Sequence, residues 1–306
     1  MKEKNLGPIA KLALLAATII WGSSFIIVKD VVDTLPTCTL LAIRFLSASV
    51  ILSLVFTWKF KQFDRKYLLC GGILGVLLYL AYMFQTFGIA DTTPGKNAFL
   101  TAVYCVMVPF MAWAFNKKRP DRFNIIAALV GIVGIGFVSL TADFTVRMGD
   151  LLTLIGGVFY ALHIIAVARF SEGRDPVLLT IFQFASSGVC ALVCALIFDI
   201  PKLSGVVWNT ELILSVAYLA VCCTAVALLF QNFGQKYTDP STASLLLSLE
   251  SVFGVAFSAL MGREELTPKI ITGFVLIFIA IVISETKLSF LKRKPAGSPG
   301  KTGEKI

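Results

Sequence analysis

The residue in this chain that most needs a chemical reason is Glu250. It stands inside the apolar segment Ser241–Met261, STASLLLSLESVFGVAFSALM, about nine residues past its start. As a helix that is roughly 13–14 Å of rise. A carboxylate in apolar surroundings holds a proton, pairs with a cation or faces a polar cavity, because leaving it charged and unpaired costs several kcal/mol. Arg44 is the matching cation, set in the apolar segment Pro36–Thr57. It can pair with Glu250, meet a carboxylate on a ligand, or hold backbone carbonyls. His163 is the single histidine, either a hydrogen-bonded structural group or a proton carrier, since an unperturbed imidazole titrates near neutral pH. Gln85 and Gln231, with Asn232, offer neutral donors and acceptors. Trp21 sits beside the small polar run Gly22-Ser23-Ser24, and Tyr104 and Tyr160 also fall inside apolar stretches. No HExxH, GxSxG, glycine-rich phosphate loop or workable carboxylate pair is present, so neither an enzyme nor an ATP-driven machine is expected. No cofactor or metal is expected either. The seven cysteines lie in or beside apolar segments without metal-type spacing and read as small packing residues.

The elements that position these groups follow from composition. The 306 residues are 57% apolar and 15% charged, with a mean hydropathy of +0.86. Ordinary soluble domains are about a quarter charged, so the chain reads as an all-α integral membrane protein. Continuous apolar runs of roughly 20 residues span a hydrocarbon core of about 30 Å as helices, and they lack the period-two alternation of a barrel. Ten such spans are expected: Ile9–Val28, Pro36–Thr57, Tyr67–Ala90, Gly95–Phe115, Phe123–Thr141, Asp150–Ala168, Val177–Phe198, Glu211–Gly234, Ser241–Met261 and Lys269–Ser284. The first, behind Met1, Lys2 and Lys4, reads as a retained span and not a cleaved signal. Pro36, Pro120, Pro176, Pro240 and Pro268 sit where a fixed φ and a missing N–H favour helix starts. The basic, Gly- and Pro-rich stretch 291–306 reads as a disordered cytoplasmic tail.

With the N-terminus inside, the cytoplasmic connections and tail carry twenty Lys and Arg against six on the other side. That asymmetry places both termini in the cytoplasm and makes the net charge of +9 a topology signal, not a nucleic-acid footprint. The chain is also written twice. Phe84-Gln85-Thr86-Phe87-Gly88 with Pro94 matches Phe230-Gln231-Asn232-Phe233-Gly234 with Pro240 at a constant offset of 146, with six identities in eleven positions. Five spans are an odd number, so a second copy enters the membrane upside down. The expected architecture is ten transmembrane helices as two inverted five-helix repeats, residues 1–145 and 146–290. Such repeats rock about a site at their interface in secondary transporters. At offset 146 Glu250 meets Tyr104, so the site is asymmetric in charge and suits a cationic or zwitterionic group or one protonation event. Trp21 and Tyr160 occupy equivalent places in the first and sixth spans, and the counterpart region of Arg44 holds Gln183. Ser244, Ser248, Ser251 and Ser258 form a small-residue stripe that permits close helix contact, and Glu250 points away from it.

Ile20-Trp21-Gly22-Ser23-Ser24-Phe25, Arg44-Phe45, the paired FQxFG segments, Ser248-Leu249-Glu250-Ser251-Val252 and Met261-Gly262-Arg263-Glu264-Glu265-Leu266-Thr267 together resemble the EamA-type permeases of the drug/metabolite transporter superfamily. The resemblance runs to about Ser284. It implies a cavity between the halves and gradient-driven alternating access, usually exporting amino acids or other small metabolites. The basic Asn116-Lys117-Lys118 departs from the family's acidic turn. The expectation is a bacterial inner-membrane exporter, its substrate bound by Glu250, Tyr104, Trp21, Gln85, Gln231 and His163. Its partners are the small-molecule substrate, the lipid bilayer and protons as coupling ion, as monomer or dimer and without nucleic acid. The other reading is a membrane receptor or assembly protein that binds without transporting.

Overall fold

A computed structural model of the chain describes residues 6–116, 119–139, 146–238 and 240–287. The expected disordered tail and the Lys117-Lys118 part of the basic turn lie outside the described residues. Thirteen α-helices are described: α1 (Leu6–Val32), α2 (Thr37–Val55), α3 (Arg65–Ala90), α4 (Pro94–Ala102), α5 (Tyr104–Asn116), α6 (Arg122–Ser139), α7 (Met148–Phe170), α8 (Pro176–Phe198), α9 (Ile200–Leu203), α10 (Thr210–Ala220), α11 (Ala227–Tyr237), α12 (Pro240–Leu260) and α13 (Pro268–Thr286). A 3-10 turn (Thr57–Gln62) follows α2, and a π-helical turn (Val221–Val226) joins α10 to α11.

Seven helical segments are long and apolar enough to cross a membrane, with α4 and α5 counted together as Pro94–Ala114 and α10 to α11 as Thr210–Tyr237. Three shorter apolar helices, Arg122–Val138, Leu246–Leu260 and Pro268–Ser284, complete the set among the described residues. The fourth expected span is therefore broken at Val103, and the eighth carries the π turn. The ninth is α12, Pro240–Leu260.

Local chemistry sets the helix ends. Asp175 caps α8 by accepting the N–H of Val177 at 2.9 Å and of Leu178 at 3.3 Å. Thr93 and Thr267 cap α4 and α13, and Pro94, Pro176 and Pro268 occupy the first turn, where a missing N–H costs nothing. The molecule is greasy outside and carries polar groups among the apolar residues inside. Leu54 and Leu260 are 70% and 83% exposed, whereas Asn97, Thr180, Gln183 and Asn232 are fully buried. Without water on the flanks, backbone proximity holds the helices together. A Cβ added at Gly71 of α3 would run into the backbone of Phe182 on α8.

The pairing of helices is unchanged when the first half (α1–α6) and the second half (α7–α13) are exchanged. α3 packs along α7 as α11 packs along α1, and α3 lies on α8 as α10 and the π turn lie on α2. α12 lies on α1 as α4 and α5 lie on α7, while α2 with α8, α4 with α12 and α6 with α13 join counterparts. Nearly all the extensive contacts therefore run between the halves.

Candidate functional site

Where the halves meet lies a cavity of about 40 Å³, room for about three water molecules. Its wall includes Trp21 and Ser24 of α1, Arg44 of α2, Tyr82 and Gln85 of α3, Asn97 of α4, Tyr104 of α5, Tyr160 of α7, Gln231 of α11 and Glu250 of α12. Five of the six residues singled out from the sequence, Glu250, Tyr104, Trp21, Gln85 and Gln231, share this wall. They arrive as equivalent positions of the two halves: Trp21 with Tyr160, Gln85 with Gln231, Tyr104 with Glu250. His163 is not on the wall. Its imidazole is buried against Gln183, with Nε2 3.3 Å from Gln183 Oε1.

Each wall residue is held by a specific contact. The Trp21 indole Nε1–H donates to the Cys223 carbonyl at 2.8 Å, a carbonyl inside the π turn. The same turn presents Thr224, whose hydroxyl donates to the Leu219 carbonyl at 2.8 Å and accepts from Arg44 Nε–H at 3.0 Å. A π turn displaces its carbonyls from the regular ladder, which is why such turns recur at functional sites. Here that displacement anchors both the indole and the guanidinium. The Arg44 guanidinium also lies over the Tyr82 ring, 5.1 Å from its centroid. Gln85 is fixed at both ends, donating to Thr101 Oγ1 at 2.9 Å and accepting the Tyr160 hydroxyl at 2.8 Å. Tyr160 is in turn flanked by Tyr82 and Tyr104, with ring centroids 5.6 and 6.1 Å away.

The two charges of the cavity are separate. Glu250 is 6% exposed and Arg44 2% exposed, yet the ion pairs among the described residues include neither. Tyr104 and Glu250 share the cavity wall, and Thr224 accepts from Arg44. Of the three roles open to Arg44, pairing with Glu250 is thus not the one adopted. A carboxylate on a wall shared with tyrosines attracts a cation through its charge, while a guanidinium with N–H groups to spare donates to a carboxylate.

At one end of the cavity Glu264, in the loop between α12 and α13, reaches across to the start of α4. It accepts the Thr93 hydroxyl at 2.7 Å and the Gly95 N–H at 2.9 Å. Burial pushes its carboxyl above the usual glutamate range, and the bonds from Thr93 and Gly95, with nearby Lys96, hold back part of the rise. Sequence reasoning passed over Tyr82, Asn97 and Thr224. Asn97, polar within an apolar span, carried a signal; nothing in the local sequence announces the π turn that makes Thr224 a wall contact.

The sequence profile of the EamA-like transporter family matches twice, over residues 8–140 and 147–286. A protein of Archaeoglobus fulgidus described as an uncharacterized transporter is 32% identical over 279 residues, covering 90% of this chain and 85% of that protein. The uncharacterized transporter YoaV of Bacillus subtilis is 21% identical, covering 92% and 98%. The uncharacterized inner membrane transporter YedA of Escherichia coli is 22% identical, covering 94% of each. A crystal structure with 15% identity superposes with a TM-score of 0.67 over 92% of this chain and 99% of its own, a likeness of fold.

Proposed function

Because the chain belongs to the EamA-like transporter family, a family of membrane transporters and not of enzymes, we propose that it is a secondary transporter that exports small organic metabolites, amino acids or related solutes, by alternating access. The observation that carries this reading is the meeting of three pairs of equivalent positions around one cavity, whose Glu250 and Arg44 form no ion pair among the described residues. With the two interrupted segments each taken as one span, each half (1–145 and 146–290) contributes five. The second is then inverted relative to the first, and the charge asymmetry of the loops sets both termini in the cytoplasm. The setting is the inner membrane, as in the name of the Escherichia coli relative. Glu250 receives the cationic end of the solute or a coupling proton. Tyr104, Trp21, Gln85 and Gln231 line its seat, and His163 supports the α7–α8 contact behind it. One chain supplies both walls, so the pathway is complete in a monomer.

The test is uptake of labelled amino acids, amines and nucleosides into proteoliposomes, with and without an imposed pH gradient. Saturable flux that rises with the gradient is expected. Glu250→Gln is expected to remove flux at least tenfold while the protein stays folded. Unchanged transport in that variant overturns the assignment of the cavity.

A further inference from the structure

Beside the central cavity, where the end of α3, the start of α4 and the start of α7 converge, lies a second polar site. Asp150, in the first turn of α7, is 0% exposed. One carboxylate oxygen, Oδ1, accepts the Thr92 hydroxyl at 2.7 Å; the other, Oδ2, has no hydrogen-bond partner among the described residues. No ion pair among the described residues involves Asp150. The neighbouring cation Lys29 is committed to the Ala90 carbonyl at 2.7 Å. Asn97, also 0% exposed, donates through Nδ2 to the Gln85 carbonyl at 3.2 Å and to Thr153 Oγ1 at 2.7 Å. Its carbonyl Oδ1 has no partner either. Because Nδ2 bonds a backbone carbonyl, the amide cannot be turned over to satisfy that oxygen.

Both orphaned oxygens belong to this junction. Asp150 and Thr153 are three residues apart on one helix, so they share a face at about 5–6 Å, and Asn97 is bonded to Thr153. A hard cation with oxygen contacts of about 2.3–2.6 Å bridges ligands up to about 5 Å apart. The backbones are also drawn close here. A Cβ built at Gly149 would lie 2.5 Å from the Gly88 carbonyl oxygen, and Asp91 accepts the Gly149 N–H at 3.0 Å. Asp91 keeps its charge, which Lys29, bonded to the adjacent Ala90 carbonyl, offsets, leaving one formal negative charge on Asp150.

That donor set discriminates. Soft and borderline transition metals need thiolates or imidazoles, and among the described residues no group of three His, Cys, Asp or Glu gathers that could hold a metal ion. A divalent ion would keep an uncompensated charge in an apolar environment. From these contacts we infer that the α3–α4–α7 junction binds a monovalent alkali cation, Na⁺ being the natural probe, between Asp150 Oδ2 and Asn97 Oδ1. The ion supplies what the buried carboxylate lacks, and the site links to transport through Asn97, which is also on the cavity wall. α4 is tied at its other side to Glu264 of the second half, so an ion fixing α4 against α7 sets the cavity's shape as well. That link rests on the transporter reading; the binding of the ion does not.

The purified full chain is melted at fixed pH and ionic strength in NaCl, KCl or N-methyl-D-glucamine chloride. An alkali cation is expected to raise Tm saturably, by about 5 °C at a hundredfold excess over Kd, and the bulky organic cation to leave it unchanged. Asp150→Asn is expected to weaken the response at least tenfold, Asn97→Ala to weaken it less, and Glu250→Gln to retain it. Equal melting in all three salts overturns the inference, as does an undiminished response in Asp150→Asn or its loss in Glu250→Gln. In proteoliposomes a Na⁺ gradient is expected to drive flux in the wild type and not in Asp150→Asn. Cation-specific stabilisation without flux of any solute would uphold the site and count against the transporter reading alone.

Discussion

Gly71 and Gly72 are consecutive residues of α3, and replacing each by alanine isolates what holds the helices together. A Cβ at Gly71 meets the Phe182 Cβ, lies 3.0 Å from its carbonyl carbon and 3.1 Å from the Gln183 nitrogen, all on α8. A Cβ at Gly72 meets nothing within 4 Å. Both substitutions gain the same helix propensity, about 0.8–1.0 kcal/mol, so their difference cancels that gain and reads packing alone. The atoms opposite Gly71 are largely backbone and cannot rotate aside. Restoring carbon contacts of about 3.5–4.0 Å requires α3 and α8 to separate by about 1–1.5 Å, and overpacking of that kind costs about 1–3 kcal/mol. Gly72→Ala is therefore expected to stabilise by about 1 kcal/mol and Gly71→Ala to fall about 1–3 kcal/mol below it. Equilibrium unfolding in mixed micelles, followed by tertiary fluorescence, measures the gap. Coincident unfolding curves for the two variants would refute the described α3–α8 contact.

Glu264→Ala leaves the Gly95 N–H and the Thr93 hydroxyl without their acceptor and is expected to destabilise by about 1–3 kcal/mol, whereas Glu264→Gln keeps an acceptor and is expected to lose much less. The pH dependence has a definite sign. Burial raises this carboxyl, so the folded chain holds the proton more tightly than the unfolded one. Its contribution to stability is then fully present below the usual glutamate range and declines as pH rises through the folded value. Glu264→Gln should flatten the melting profile over that window. Lys287 ends α13 with φ of 51° and forms a half-exposed ion pair with Asp121 at 2.6 Å. Lys287→Ala loses only that pair and is expected to cost under about 1 kcal/mol. Lys287→Gly also relieves the left-handed backbone and is expected to exceed Lys287→Ala by about 1 kcal/mol, as read by the same unfolding assay.

Much of the cavity was legible because a polar group deep in an apolar segment has few permissible surroundings. Glu250, Gln85 and Gln231 announce themselves by that cost, and the repeat pairs them before any coordinates are seen. Tyr104 was found only as the mate of Glu250, since a tyrosine in an apolar run carries no such signal. The contacts of Arg44 were not legible. They depend on Thr224, which a π turn places, and the sequence Val221-Cys222-Cys223-Thr224-Ala225-Val226 is as compatible with a regular helix. Asp150 was read as the first residue of a span, where a charge would meet water. Its full burial arises from the α3–α4 connection folding over it through Thr92, a tertiary event with no local signature. His163 attracted notice as the single histidine, but its place behind the wall is decided by helix packing.

The exchange of partners between halves has a consequence for how the protein is made. α1 finds its neighbours in α11 and α12, α2 in α8, α3 in α7 and α8, and α6 in α13. During synthesis the first six helices therefore enter the bilayer before the surfaces they are shaped for exist. Arg44 and Asn97 wait in lipid for partners more than fifty residues downstream. The nascent half-chain is an assembly intermediate, not a small version of the finished protein.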